Sequence, residues 1–396
     1  MQKLYLATAV SSILIGGNVS AQDAAGIDLG GFQLFPTVAL DLTLDDNVIR
    51  SSDDEIRSYK RTVVPAFTLV NNYGPNQIQF GYQLTRADYY SSSADDFTDH
   101  LLSASAALEL NSRNRLNVSA LYDDGHDDRG TSFTIGNGDS INSVDTYKNP
   151  SVNAVYSYGA MTAKGRVDFT AGYSIVDYDI DTDRYRSRDL DRADLGSTFY
   201  YRVMPATDLT FDVTYADVSY DFALDPTQPL DSTETRALVG AQWESTAKTT
   251  GYVKVGYRNK DFAAAGRESF NGLDWRVGVT WEPLTYSTVD FTAFTNTNET
   301  NGEGDFIETN TYRASWDHQW LERTSTTVNA SYSTDTYTGA GSDREDKNTT
   351  IGMFLNYEMR RWVLIQAGYT FDQRSSNRET IEFDRNLFSV SATVSL

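Results

Sequence analysis

The feature that most constrains the fold is an alternation of apolar and polar side chains at every second residue, sustained along most of the chain. It is clearest in segments 115–124, 165–178 and 272–281. In the second of these, Val167, Phe169, Ala171, Tyr173 and Ile175 alternate with polar residues. Period two with one apolar face is typical of β-strands. Almost no stretch has helical periodicity, so the chain is predicted to be all-β.

The connections between these segments alternate between short and long. Short ones are predicted at 72–76, 111–114, 159–163, 205–207, 245–248, 282–286, 321–323 and 359–360. Longer, mostly acidic ones include 45–59, 124–146, 179–190, 221–232, 298–306 and 338–346. Nine long and eight short connections predict 18 strands, with 16 as the alternative.

Strands of roughly eleven residues, tilted near 40°, cover about 25–28 Å, which matches the apolar band of an outer-membrane barrel. We therefore expect a transmembrane antiparallel up-and-down β-barrel with short periplasmic turns and long extracellular loops, in the outer membrane of a Gram-negative bacterium. A soluble β-sandwich or propeller is the alternative, but no blade-length repeat recurs. Two aromatic girdles are also expected. Trp243, Trp281, Trp320 and Trp362 lie near short turns, and Tyr89, Tyr122, Tyr178, Tyr220 and Tyr337 near long loops.

The N-terminus predicts an exported protein. Lys3 precedes an apolar run over 4–17, and Val19, Ser20 and Ala21 offer small residues for cleavage before Gln22. We expect a signal peptide at 1–21, a short periplasmic segment at 22–33 and the barrel at 34–396. A membrane anchor is the alternative, although the run is too short to span a bilayer.

Charge and cysteine content exclude several functions. The net charge of −22 would repel phosphates, so nucleic acid is not expected as a partner. The absence of cysteine excludes disulfides and Cys-based metal sites.

If the apolar face meets lipid, the opposite face lines an interior. The charged residues predicted to line it are Asp123, Arg166, Asp168, Arg202, Asp212, Arg236, Lys254, Arg258, Asp274, Arg276, Asp290, Arg313, Asp317 and Asp335. An 18-stranded barrel is wide enough for an aqueous channel. The pattern predicts a polar conduit for a hydrophilic solute, whose sugar rings could stack on Tyr200 and Phe294. For any one charged residue, pairing across the wall is the simpler role.

A histidine-acidic cluster occurs in "LYDDGHDDRGT" (121–131). The cluster consists of Gly125, His126, Asp127, Asp128, Arg129 and Gly130. Catalysis would need a nucleophile and an orienting acid, and no second cluster in the sequence completes that set. The register does not fit a calcium loop. We expect no catalytic residue, metal or cofactor here. Instead, His126 is expected to begin the longest extracellular loop, with Arg129 pairing Asp127 or Asp128.

The same stretch resembles the putative β-barrel porin 2 family in its Gly-His-acidic-x-Arg-Gly loop start. The resemblance extends over the mature chain, including "DLTLDDNVIRS" (41–51). It implies an outer-membrane barrel that serves as the exit for an exopolysaccharide or capsular polysaccharide. The expected partners are then outer-membrane lipids and lipopolysaccharide, the polysaccharide, periplasmic export proteins and the barrel-assembly machinery.

Three other functions stay open. The first is a general or sugar-selective diffusion porin for uptake. The second is an enzyme at the barrel rim that depends on His126. The third is an adhesive or structural barrel with acidic loops.

Overall fold

The computed structural model describes residues 26–246, 248–339 and 341–395. A short strand, β1 (Ile27–Asp28), precedes eighteen long ones. These are β2 (Gln33–Asp45), β3 (Ser58–Tyr73), β4 (Asn76–Tyr89), β5 (Phe97–Asn111), β6 (Asn114–Asp127), β7 (Asp145–Tyr158), β8 (Gly165–Tyr178), β9 (Leu190–Met204), β10 (Thr207–Tyr220), β11 (Ser232–Thr246), β12 (Thr249–Phe262), β13 (Phe270–Leu284), β14 (Ser287–Glu299), β15 (Phe306–Leu321), β16 (Thr324–Thr338), β17 (Glu345–Arg360), β18 (Val363–Ser376) and β19 (Phe383–Ser395). One short helix, α1 (Asp183–Arg186), lies in a loop.

The sheet closes on itself, because each long strand pairs antiparallel with the next and β19 pairs with β2. Val394 lies opposite Val38, and Leu387 opposite Asp45, in this closing ladder. The predicted all-β barrel, its strand number and its alternation of short turns and long loops are confirmed. The strands have 13–16 residues, more than the predicted eleven, because they continue beyond the width of the membrane.

The outer surface is apolar and the interior polar. Val38, Leu40 and Leu42 are exposed on the outside of β2, while Asp41, Thr43 and Asp45 on its other face are buried. Because the long strands pair all the way round, their backbone groups are satisfied within the wall as a bilayer requires, except along the upper part of β13 and β14. No helix within the described ranges is long and apolar enough to cross a membrane.

The aromatic residues sort by strand end only in part. Trp281, Trp320 and Trp362 are exposed near the short turns, as a girdle requires. The expectation for the long-loop end was wrong for four of the five tyrosines: Tyr89 and Tyr337 are buried, and Tyr178 and Tyr220 face inward, where their hydroxyls donate to Asp127 and Glu299. They lie on the interior face, because each lies opposite or beside inward polar residues such as Lys60 and Asp346. An alternating pattern locates a tyrosine along a strand, but one residue of register decides its face.

One stretch of wall lacks its hydrogen-bonded ladder. The pairing of β13 with β14 ends at Arg276 and Phe294, although both strands, fully described, continue toward the extracellular side. Above this point β14 leans into the barrel, where Thr295, Thr297 and Glu299 contact side chains of β9 to β12. We call residues 295–309, the upper part of the β14–β15 hairpin, the inner hairpin.

The expected signal peptide at 1–21 lies outside the described residues. Within the expected periplasmic segment, Ile27 pairs with Leu34 and Asp28 with Gln33, so β1 folds back on β2. The barrel itself runs from Gln33 to Ser395.

Candidate functional site: the barrel interior and its mouth

The fourteen charged residues predicted to line the interior all lie on long strands, on the face opposite the exposed apolar residues. Most are paired. Their ion pairs are Arg166–Asp208 (3.9 Å), Arg202–Asp208 (2.9 Å), Lys254–Asp212 (2.9 Å), Arg236–Asp274 (2.6 Å), Arg258–Asp274 (2.6 Å) and Arg276–Asp274 (3.8 Å). Four aspartates accept a hydroxyl hydrogen bond instead: Asp123 from Tyr147, Asp290 from Thr280, Asp317 from Thr327 and Asp335 from Thr309.

The last two of the fourteen differ from these. Asp168 lies directly across the ladder from Thr198 and is hydrogen-bonded by the Tyr200 hydroxyl, while its neighbour Arg166 stacks on Tyr200 with Cζ 4.0 Å from the ring centre. Tyr200 is therefore buried beneath a guanidinium, and the expectation that it offers a stacking surface to sugars is wrong. Arg313 is exposed and lies against Phe294, whose ring centre is 5.7 Å from its Cζ.

The inward face of β8 to β13, which we call the charged wall, is packed rather than wet. Asp208, Thr210 and Asp212 are buried although they face the interior of a wide barrel. Their neighbours Arg166, Arg202 and Lys254 lie along the wall and pair with the two aspartates. Opposite charges one or two strands apart thus neutralise one another instead of projecting into the lumen.

The inward face of β4 to β7, which we call the amide wall, differs in chemistry. Over its middle height it carries Gln79, Gln83, Ser103, Ser105, Asn117, Ser119, Ser151 and Asn153. Ser103, Ser105, Asn117 and Ser119 are exposed. Neutral hydroxyl and amide groups here face open space, so this wall can exchange hydrogen bonds with water or a polar solute.

The inner hairpin covers the extracellular part of the charged wall. Arg258 donates to Thr295 O (2.9 Å) and to Thr297 Oγ1 (3.1 Å) of the hairpin, and its Nη2 lies 2.6 Å from Asp274. Glu299 receives Lys260 Nζ at 2.5 Å and the Tyr220 hydroxyl at 3.1 Å. Arg258 and Lys260 are only 1% and 0% exposed, because the hairpin lies over them.

Sequence reasoning missed three charged residues of this contact: Glu234, Lys260 and Glu299. Glu234 and Lys260 lie on the same alternating faces as Arg236 and Arg258, so the pattern itself could have identified them. Glu299 had no such signal, because the inward bend of β14 is a tertiary effect that changes which side of the strand meets the interior.

The segment that bears the His-acidic motif forms a long loop over the mouth, residues 128–144, which we call the mouth loop. Its anchor is Arg129, which is 5% exposed and donates to both carboxylate oxygens of Asp95 (2.8 and 2.5 Å). The same guanidinium also donates to Ser92 Oγ (2.8 Å) and to the backbone oxygen of Ile141 (2.9 Å). The predicted pairing of Arg129 with Asp127 or Asp128 was wrong, because Asp95 on the neighbouring loop offers a bidentate geometry.

His126 was expected to begin this loop. It lies instead within β6, opposite Thr146. The β6–β7 ladder continues to Asp127, so the strand is longer than the sequence pattern indicated. The His126 ring packs on Phe97, with centroids 3.9 Å apart, and its Nδ1 lies 2.9 Å from Asp99. Through these contacts and its Nε2, which lies 3.2 Å from Asp128, His126 joins β5 to the base of the mouth loop.

Two further members of the motif fix the loop's course. Gly130 has φ +78°, and a Cβ there would lie 2.1 Å from the backbone oxygen of Ile49. Only glycine fits this left-handed position and close approach. Asp128 pairs with Arg50 at 2.8 Å. Burial raises the pKa of Asp128, but the charge of Arg50 and the hydrogen bond from His126 outweigh it and hold that pKa well below its usual range.

The mouth loop reaches across the barrel. At its tip, the Phe133 ring lies 3.7 Å from Arg188 Cζ of the β8–β9 loop. A methyl group at Gly302, in the β14–β15 loop, would lie 3.6 Å from Phe133 and one at Gly136 only 2.6 Å from Ile381. The β6–β7 and β14–β15 loops are eight strands apart around an 18-stranded barrel, nearly opposite one another. The mouth loop and the inner hairpin therefore meet over the lumen and narrow it.

Across the described residues no group of three or more His, Asp or Glu side chains has the arrangement to hold a metal ion. The barrel wall thus encloses a polar lumen that narrows at its extracellular mouth.

A family model described as putative beta-barrel porin 2 matches residues 20–396. The chain belongs to this family. The closed barrel and the family place this porin-like protein in the outer membrane of a Gram-negative bacterium. Among curated proteins, none matches its sequence.

Several solved outer-membrane proteins resemble this porin-family barrel at low sequence identity. The crystal structure of OpdL from Pseudomonas aeruginosa has 12% identity and a TM-score of 0.49, and the match covers 93% of this chain and 100% of that one. OccAB3 from Acinetobacter baumannii has 9% identity and a TM-score of 0.48, with 93% and 100% covered. The FrpB iron transporter from Neisseria meningitidis has 12% identity and a TM-score of 0.49, with 91% and 66% covered.

Proposed function

We propose that this protein is a diffusion porin that admits small hydrophilic solutes. The observation that carries the proposal is a polar passage bounded by the charged wall and the amide wall, and narrowed at its mouth by two folded segments. Ser103, Ser105, Asn117 and Ser119 of the amide wall give a passing solute exchangeable hydrogen-bond partners. This favours the uptake alternative of the sequence analysis over its main expectation.

Only the family resemblance supports the export of a polysaccharide. A polymer chain would have to pass the contact between Phe133 and the β14–β15 loop, and would displace both segments. Arg129 and Arg258 hold these segments by buried, charge-assisted hydrogen bonds, which are costly to break. Among the interior residues that the structure describes, no catalytic constellation favours an enzyme.

The proposal is tested with the purified barrel in planar bilayers and in liposomes. We expect steady conductance in potassium chloride, and liposome swelling with monosaccharides that falls off as the solute grows to a tetrasaccharide. Liposomes without protein are the control. Absence of both conductance and swelling would refute the porin function.

A deletion strain separates uptake from export. If the barrel is an uptake porin, surface, released and periplasmic polysaccharide stay at their normal levels when the gene is removed. Loss of polysaccharide outside with accumulation in the periplasm, restored by the intact gene, would establish export instead. Lipopolysaccharide as the lipid neighbour and the barrel-assembly machinery as the insertion partner belong to the same proposal.

A further inference from the structure

Two arginines flank a phenylalanine at the height where the β13–β14 ladder ends. Phe294 lies directly opposite Arg276 of β13 in the last pair of that ladder. On its other side is β15, from which Arg313 reaches over with Cζ 5.7 Å from the ring centre. All three side chains face the interior, just below the inner hairpin. We call them the arginine site.

Arg276 belongs to a group with surplus positive charge. Its one carboxylate neighbour, Asp274, is 3.8 Å away and also pairs with Arg236 and Arg258, each at 2.6 Å. Glu234 pairs with Arg236 at 3.1 Å, so three guanidinium groups share two carboxylates. Arg276 is the most exposed of the three, at 34% of its side chain. Its Nε atom has no hydrogen-bond acceptor among the described residues.

Arg313 has no carboxylate partner among the described residues. It is exposed to the lumen, and no described residue forms a hydrogen bond or ion pair with it. Its cross-strand neighbours are the hydroxyl residues Thr292 and Ser331. On an interior surface where nearly every other cation has a carboxylate, and in a chain of net charge −22, this free guanidinium stands out.

The chemistry of the arginine site fits a small organic anion. A guanidinium presents two parallel N–H groups that match a carboxylate, and Arg276 and Arg313 offer one such fork on each side of the ring. Phe294 supplies an apolar face for the body of the ligand. We infer that the arginine site binds small organic acids with a single carboxylate and an apolar or ring-shaped body. This inference rests on the proposed porin function, since the ligand reaches the site through the lumen.

The test uses the purified, folded barrel and equilibrium dialysis of benzoate, with benzamide as the uncharged analogue. The wild type is expected to bind benzoate and to bind benzamide at least about tenfold more weakly. Arg313→Gln should weaken benzoate binding about tenfold or more, as expected for the loss of a hydrogen bond to a charged group. Because no described residue forms a hydrogen bond or ion pair with Arg313, this variant should keep its thermal stability.

A second variant neutralises the arginine without removing it. Thr292 lies directly opposite Arg313, so Thr292→Asp places a carboxylate beside the guanidinium and should also abolish benzoate binding. The matched control is Arg115→Gln. Arg115 is an interior arginine on β6 that donates to Gly159 O at 3.0 Å, far from the site, and its loss should leave benzoate binding unchanged.

The inference is overturned if the wild type binds benzoate no better than benzamide, if both Arg313→Gln and Thr292→Asp bind it as the wild type does, or if Arg115→Gln weakens it equally. Dialysis does not depend on conductance. A barrel that conducts but ignores benzoate refutes the arginine site alone, whereas one that neither conducts nor swells liposomes refutes the porin function.

Discussion

The charged wall and the amide wall enclose the same lumen but solve the problem of polar side chains in opposite ways. On β8 to β12, carboxylates such as Asp208 and Asp212 are buried under the arginine and lysine side chains that neutralise them. On β5 and β6, Ser105 and Ser119 are uncharged and exposed. Charges in this barrel mainly hold structure together, and neutral groups face the passage. The exceptions, Arg276 and Arg313, lie on β13 and β15, beside the point where the β13–β14 ladder ends.

The largest effect should come from breaking the contact between the charged wall and the inner hairpin. Arg258→Ala would leave the buried Asp274 without one of its ion-pair partners. We expect the free energy of unfolding to fall by about 3–5 kcal/mol. Urea unfolding in detergent measures this, and single-channel conductance should rise as the hairpin loosens. The double variant Lys260→Met with Glu299→Gln removes both partners of a pair, so it should cost much less. Equal losses for the two would contradict the account.

A matched pair of substitutions compares the walls directly. Thr210→Asp places a carboxylate at a position with no exposed surface on the charged wall, and should cost about 2–4 kcal/mol. Ser119→Asp makes a similar change on the exposed amide wall. There we expect a change within about 0.5 kcal/mol, together with a shift of ion selectivity toward cations. Similar unfolding energies for both variants would show that the charged wall is wet.

Releasing the mouth loop should have an intermediate effect. Arg129→Ala leaves the buried Asp95 carboxylate without its bidentate donor, for a cost of about 1–3 kcal/mol. Because the anchor lies outside the membrane, the barrel should still fold, and the main change should be a higher conductance with larger permeant sugars. An unchanged size limit would mean that the mouth loop does not set it.

The smallest effect concerns the pair of Asp128 with Arg50. Both side chains keep some contact with water, so Asp128→Asn should cost less than about 1 kcal/mol. The pKa of Asp128 is lowered, so its contribution is present above the ordinary carboxyl value and is lost only as pH falls through the lowered one. Conductance of the wild type should therefore stay constant from pH 7 to about pH 4.5. A sharp change near pH 6 would assign control of the loop to another group.

The alternation of apolar and polar residues predicted most of the fold. It predicted the barrel, its strand number and the interior face of residues such as Asp212 and Arg313, because a two-residue period determines sides wherever one face is apolar. It could not predict what covers the interior. The bend of β14 and the course of the mouth loop depend on contacts between residues far apart in sequence, such as Glu299 with Lys260 and Phe133 with Arg188. For the same reason Tyr200 was expected to be free and is covered.

The break in the β13–β14 ladder makes one part of the wall different in kind from the rest. Elsewhere neighbouring strands are joined by main-chain hydrogen bonds, which almost any sequence can make. Beside this break Trp275 meets Tyr312 across β14, with ring centres 6.0 Å apart, and Phe270 meets Phe306 at 5.9 Å. The enclosure there depends on the shapes of four aromatic side chains. A substitution at any of these four positions should therefore disturb the closure of the wall more than a substitution at the lipid-facing surface elsewhere.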